Sequence, residues 1–548
     1  MLLLKEEVSS WGLLNLDKFQ PYETMKFQSY PILTLGLLTF IVLLGSCGPQ
    51  DVKPLKSILL KEININQNTT GRVPQAARIT FSTNEEVKVS YVVNGEQSFK
   101  RYFNSFQTMH LIPVIGLYPD TINEVTIIAE NKEGGSFQES VSIHTEPLPA
   151  FFPTIEIAKL ERSKMEPGFH EFDLLVPNND KFDTYTIIFD DKGIIRWYLD
   201  MSETRRIAFS TILKNGHRIY ASWIDVFEVN ELGETIRQWQ LGGYAGDHDI
   251  KELPSGNFLM GASKRNSIIY EGEIELKSRY DAVVELDRET MNVTRDWDMR
   301  TVLDVDRSLL NDKLGRDNYK DWFHVNSVYH SQADNCILVS GRNQGVVKLD
   351  QHSNLKWILA PHKGWSNGGI KGQGENTDKY LLTAIDDNGS PYPARVQEGT
   401  ELVNDFDWVS GQHSIRLLDN GNILLFDNGY ARKFEKIPTY SKAVEYEIDE
   451  ENRTIKQVWQ YGKERGLNMF SAITSDVDVL PQTNNRLITA GYVRLSSEAP
   501  HAKMIEVTYP DNKEVFEAKI FFKNVANKDV MKWAKFDIVY RGERITFN

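Results

Sequence analysis

Cysteine is nearly absent: Cys47 and Cys336 are the two in 548 residues. No disulfide framework holds this chain, and the fold has to rest on its own core. A basic cluster is lacking as well. The 76 acidic residues exceed the 62 basic ones by 14, which argues against nucleic acid as a partner. No stretch carries the sustained 3.6-residue periodicity of a helical repeat. Nor is there a Gly-rich phosphate loop, a His-Glu-x-x-His metal motif or a Gly-x-Ser-x-Gly elbow. Nucleotide-driven transfer, zinc hydrolysis and α/β-hydrolase chemistry therefore lack their usual signatures.

What is present is apolar and aromatic matter, 41% and 11% of the residues, enough for two domains or more. The run from Pro31 to Gly45 follows Lys26, is short for a membrane span and ends in Leu44-Gly45-Ser46-Cys47. That tetrapeptide resembles a bacterial lipoprotein signal, so residues 1–47 are expected to be a signal peptide with Met25 as the true start and Cys47 lipidated. An ordinary signal peptide or anchor is the alternative. The expected product is an exported lipoprotein, held to the periplasmic side of the inner or outer membrane through Cys47. Cys336 sits in an apolar strand and reads as a buried, inert thiol.

Residues 48–57 read as a polar tether, and 58–148 as short alternating strands, the pattern of a small β-sandwich. Residues 154–548 change texture to a repeat of four short strands with a Gly-Asn turn or a relative of it. HDIKELPSGNFLMGAS and HSIRLLDNGNILLFDNG open its clearest copies. Six such units fit between about 170 and 525, which predicts an all-β protein: a sandwich followed by a six-bladed β-propeller. YTIIFDDKGIIRWYL reads as a half-unit. The C-terminal tail is expected to close the last blade or pack beside it, and residues 311–321 and 363–400 to form a rim around one mouth.

The innermost strands of a propeller line one channel, so equivalent repeat positions face each other. Histidine occupies that position in three units, as His248, His324 and His413, with Ser210 and Asp476 in weaker copies. The segment DWFHVNSVYHSQADNCILVSGRNQGVVK reads as a hairpin that brings His324 and Asn326 near Arg342. Imidazoles, an amide and a guanidinium suit a compact oxyanion, because the arginine fork binds two oxygens and stays charged. Three histidines would also suffice for zinc or iron, but the permanent charge of Arg342 disfavours a cation, so no metal is expected. A neutral imidazole in such a site can act as nucleophile and as proton carrier, which needs no nucleotide cofactor.

The blocks DWFHVNSVY, SGRNQGVVKL, GQHSIRLLDNGNILLFDNG and AVEYEID, in that order after a sandwich, resemble the bacterial arylsulfate sulfotransferase family. The resemblance covers the chain after residue 55. It implies sulfuryl transfer from a phenolic sulfate donor to a phenol acceptor, by a ping-pong mechanism through a sulfohistidine and without a sulfonucleotide. It makes His413 the nucleophile, gives His248, His324 and Arg342 the sulfuryl oxygens to hold, and puts Asn326 in the same pocket. Either His248 or His324 would carry the proton. Ser471, Thr474 and Ser475 are candidates for the pocket wall, and Trp322, Phe323, Phe406 and Trp408 for stacking on the ring. Family members carry a disulfide near the active site and are often soluble dimers. This chain has no such pair, so the usual dimer is in doubt while self-association stays open. A lipid-anchored propeller without catalysis and an aryl sulfate hydrolase are the competing readings.

Overall fold

The computed structural model describes residues 63–179, 181–204, 209–307, 319–430, 432, 439–525 and 535–547. The expected leader, Cys47, the tether and residues 311–318 lie outside them.

The first domain is built around one long strand, Ala77–Val93, in which Ile79, Phe81, Val87, Val89, Tyr91 and Val93 point inward by the period of two. An irregularity between Ser82 and Val87 bends it. Its first half then pairs with Asn64–Gln67, its second half with Thr121–Asn131, and Phe99–Val114 follows it throughout. A single bent strand thus serves both faces of the sandwich.

Six sheets of four or five strands follow among the described residues, antiparallel but for the added strand Thr383–Ala384, and they are the blades. From inside outward the second blade runs from Thr211–Ile212 to Thr235–Gln240, the third from Tyr244–Glu252 to Val293–Asp298 and the fourth from Val325–Ser331 to Leu355–Leu359. The fifth runs from His413–Leu417 to Thr454–Tyr461, and the sixth from Asp476–Val479 to Glu514–Phe521. The first blade mixes both ends of the propeller segment. Its outer strands are Phe169–Asn178, Lys181–Phe189 and Ile195–Asp200, and its innermost strand is the C-terminal Ile538–Ile545. The tail therefore closes the first blade, not the last, and this is why YTIIFDDKGIIRWYL reads as only part of a unit. At the other end, Thr154–Leu160 adds an outermost strand to the sixth blade. Strands from both ends of the propeller segment thus complete the first and sixth blades and join the ring at its seam.

Only part of residues 363–400 lies where the expected rim would, since Val396, Gly399 and Thr400 line a pocket with Arg342. Thr383–Ala384 pairs with the outermost strand of the fifth blade, and Leu382, Ala384 and Val396 join a core cluster with Trp357 and Tyr446. Their apolar side chains find more burial between blades than at a solvated mouth.

The sandwich and the propeller share one core. Ile188, Trp197 and Leu199 of the first blade and Tyr220 and Val229 of the second cluster with Val73, Ile79, Tyr91 and Val114 of the sandwich. Each such side chain stabilises by about 1.5–3 kcal/mol when fully buried. Arg196 of the first blade clamps the joint. Its guanidinium donates to the Gly116 carbonyl at 2.6 and 3.0 Å and to that of Gln97 at 3.2 Å, pairs with Asp190 at 3.0 Å and lies over the Tyr118 ring at 3.6 Å. Cys336 is a buried free thiol, and burial pushes its pKa up to about 11, too high to react at neutral pH.

Candidate active site

The three histidines come from the innermost strands of the third, fourth and fifth blades or the residue just before them, and a break in each of these strands aims the ring. The third, fourth and fifth blades slip register at Gly246/Ile250, Val325/Ser327 and His413/Arg416, and the first at Val539/Gly542. At these breaks the backbone turns left-handed at non-glycine residues: His248 at φ 52°, His324 at 61° and Ser414 at 58°, with Thr474 at 58° and Ser475 at 88° at the start of the sixth blade. Such conformations cost roughly 1–2 kcal/mol each. They turn side chains out of the pleat and toward the axis.

The result is one cavity of about 420 Å³ lined by His248, His324, Arg342 and His413 together. The rings of His248 and His324 stand 4.9 Å apart, and both histidines and Arg342 act electrostatically on His413. Arg342 follows the second strand of its hairpin, where its N–H donates to the His324 carbonyl at 2.9 Å. Its guanidinium lies 4.8 Å from the Tyr430 ring centroid, and burial lowers its pKa somewhat. It remains a cation in the neutral range.

The three imidazoles are tuned apart. His413 is buried and its Nδ1 lies 2.7 Å from Asn428 Oδ1 and 3.1 Å from the Gly411 carbonyl. Burial, and then the charge of Arg342, drive its pKa well below the ordinary histidine value. His324 Nδ1 lies 2.6 Å from Asp321 Oδ2, but burial outweighs that carboxylate and the net shift is downward. For His248 burial also pulls down, yet Asp247, whose Oδ1 lies 2.6 Å from Nδ1 in ion-pair contact, together with Asp321 and Asp249, outweighs it, and the net shift is upward. Neighbouring acid and base groups whose pKa values are pushed apart can divide proton transfer between them.

The other expected site residues fall as follows. Thr474 lines the cavity. Asn326 and Ser475 instead line a small void of about 30 Å³ that also touches His413. Asn326 Nδ2 donates to the Gln412 carbonyl at 2.6 Å and so fixes the peptide before His413. Ser471 faces the wall: its hydroxyl accepts from the Tyr492 N–H at 3.0 Å. Trp322, Phe323, Phe406 and Trp408 are buried in core clusters. The aromatic walls are Phe209, Tyr280, Tyr430, Tyr492, Phe536 and Tyr540, which reading the sequence missed. Tyr540 comes from the closing strand. Its ring stacks on Phe209 at 3.6 Å and stands 6.0 Å from His248 and 6.5 Å from His413. It occupies the repeat position of the first blade, which only the correct ring closure would have exposed. Asp247, Asp321 and Asn428 were missed too, although the first two sit inside the motifs GDHD and DWFH.

A polar seam lies against this cavity. Arg541 pairs with Asp173 at 3.3 Å and Asp249 at 3.4 Å. Asp249 in turn accepts from the Val328 N–H at 3.1 Å, and Ser327 Oγ accepts from the Ile415 N–H at 3.1 Å. The inner strands of four blades are thereby bonded around the axis, which fixes the geometry above them.

Such an arrangement defines a propeller protein whose axial cavity sets arginine, histidine and aspartate side chains against aromatic walls. Residues 155–529 match the family model for arylsulfotransferase (ASST), and residues 65–146 match that for the arylsulfotransferase Ig-like domain. The chain belongs to the arylsulfotransferase family. It is 28% identical over 524 residues to a protein named arylsulfate sulfotransferase AssT from Escherichia coli O6:H1 (strain CFT073), covering 78% of this chain and 82% of the relative. To the protein of the same name from Lelliottia amnigena it is 27% identical over 559 residues, covering 84% and 89%. Among solved structures, a protein of unknown function from Bacteroides caccae aligns with a TM-score of 0.37 at 12% identity, over 69% of this chain and 98% of that one; at that level it bears no argument.

Proposed function

We propose that the protein moves a sulfuryl group from a phenolic sulfate ester to a phenol, in two steps through an adduct on His413. The carrying observation is that His248, His324, Arg342 and His413 share one cavity while His413 is held neutral. In the first step the Arg342 fork, with His324, grips the sulfuryl oxygens. The Nε2 lone pair of His413 forms a bond to sulfur as the sulfur–oxygen bond to the aryl group breaks. His248, the histidine whose pKa is raised, gives its proton to the departing phenolate. In the second step neutral His248 takes the proton of the incoming phenol, whose oxygen attacks sulfur and releases His413. Aromatic walls hold donor and acceptor rings and exclude water.

Turnover of a chromogenic aryl sulfate with and without added phenol tests this. Release that depends on phenol supports transfer; equal release in both supports hydrolysis; none in either supports a binding propeller. Export and lipid anchoring through Cys47 belong to the same proposal, supported by the tetrapeptide at residues 44–47. Fatty-acid labelling that persists in Cys47→Ala would refute the anchor.

A further inference from the structure

Asn428 is wholly buried just past the second strand of the fifth blade, and its two ends are distinguishable by their partners. Its Nδ2 donates to the main-chain carbonyls of Ser471 at 2.7 Å and Thr474 at 2.9 Å. Both are acceptors only. Turning the amide over would set its oxygen against two carbonyl oxygens, so the end facing His413 Nδ1 at 2.7 Å is the oxygen. An amide oxygen cannot give a proton, and the Gly411 carbonyl at 3.1 Å cannot either. The ring proton of neutral His413 therefore sits on Nδ1, and the lone pair is on Nε2.

We propose that Asn428 is a positioning residue for sulfuryl transfer: locked by the Ser471–Thr474 turn of the sixth blade, it keeps His413 in the Nδ1–H tautomer through both steps. The inference rests on the reading of His413 as nucleophile. It also gives the sequence block SAITS a task, since the backbone of that block orients the amide. In the first step Nε2 gains sulfur, the aryl oxygen leaves with the electron pair of the broken bond, and Nδ1 keeps its proton. The adduct ring is then cationic beside a sulfonate. An amide oxygen stabilises that charge without removing the proton, so the group expelled in the second step is a neutral imidazole and the bond to sulfur stays labile. A carboxylate there would compete for the proton and hold the ring cationic in the resting enzyme. The other charged or titratable groups facing His413 are Arg342, His324, His248 and Tyr540. Among the described residues the acceptors at Nδ1 are Asn428 and Gly411.

The test is nitrogen-15 NMR of histidine-labelled full-length protein, read without substrate. Wild type is expected to show His413 with a pyridine-type Nε2 and a protonated Nδ1. A protonated Nε2 in wild type would overturn the proposal with no variant needed. Asn428→Ala is expected to mix the tautomers and lower kcat by about 10²-fold with little change in KM. Asn428→Asp puts a carboxylate beside Nδ1 and loses the donors to Ser471 and Thr474, so both ring nitrogens of His413 should read as protonated in the resting protein and the acid limb of the pH profile should move upward. Unchanged tautomer, kcat and pH profile in both variants would also overturn it. Because the tautomer is read in the resting protein, an adduct found on another residue would sink the transfer reading separately.

Discussion

At the scale of the residue, two histidines of one cavity are driven in opposite directions. The pKa of His413 falls well below the usual value through burial and Arg342, whereas that of His248 rises because Asp247, with Asp321 and Asp249, overcomes burial. The nucleophile must be neutral and the acid protonated. Activity is therefore expected to hold across mildly acidic pH, where His413 is still neutral. It falls as pH rises through the raised His248 value. Asp247→Asn removes the carboxylate that raises His248, so the alkaline limb should move to lower pH, with about a tenfold loss at fixed alkaline pH for each unit of movement. A limb that stays put in this variant would assign the proton to another group, His324 first. Arg342→Lys keeps the charge but loses the planar fork, and kcat is expected to fall by about 10²-fold in steady-state assays. Retained activity there would mean that charge alone suffices.

Elements explain which parts of the site could be read in advance. His248, His324 and His413 were legible because they recur at one position of a repeat, and the His324–Arg342 approach because a hairpin places its ends together. Asn428 and Tyr540 were not, for different reasons. Asn428 reaches His413 across the hairpin of the fifth blade as Arg342 reaches His324 in the fourth, an equivalence the sequence reading did not carry from one blade to the other, and Tyr540 belongs to a strand that meets the site only after the ring has closed. The bulges were invisible as well, since histidine and serine are poor predictors of left-handed backbone. Gly491 illustrates how tightly the closing strand is seated. A Cβ there would collide with the Val539 carbonyl and come within 2.6 Å of Thr474 Oγ1. Gly491→Ala should cost about 1–3 kcal/mol of stability and also lower kcat, because Val539 precedes Tyr540 and Thr474 lines the cavity. Thermal unfolding and turnover measured on the same sample check this, and a variant as stable as wild type would show that the strand can shift.

For the whole molecule, the shared core and the Arg196 clamp make sandwich and propeller one cooperative unit. Calorimetry is expected to record one transition for wild type. Arg196→Ala leaves Asp190 without its guanidinium and removes the bonds to Gly116 and Gln97, so about 3 kcal/mol should be lost and the sandwich should melt first. A single unshifted transition would contradict the clamp. Three successive blades, the third, fourth and fifth, present His248, His324, Arg342 and His413 to one cavity, and ring closure adds Tyr540 to its wall. The measurement that bears on this most directly is mass analysis of protein quenched after mixing with an aryl sulfate and no phenol. One added SO3 group on the peptide containing His413, discharged on adding phenol and absent in His413→Asn, is the predicted result. An unmodified protein that still turns over, or an adduct that survives in His413→Asn, would contradict it.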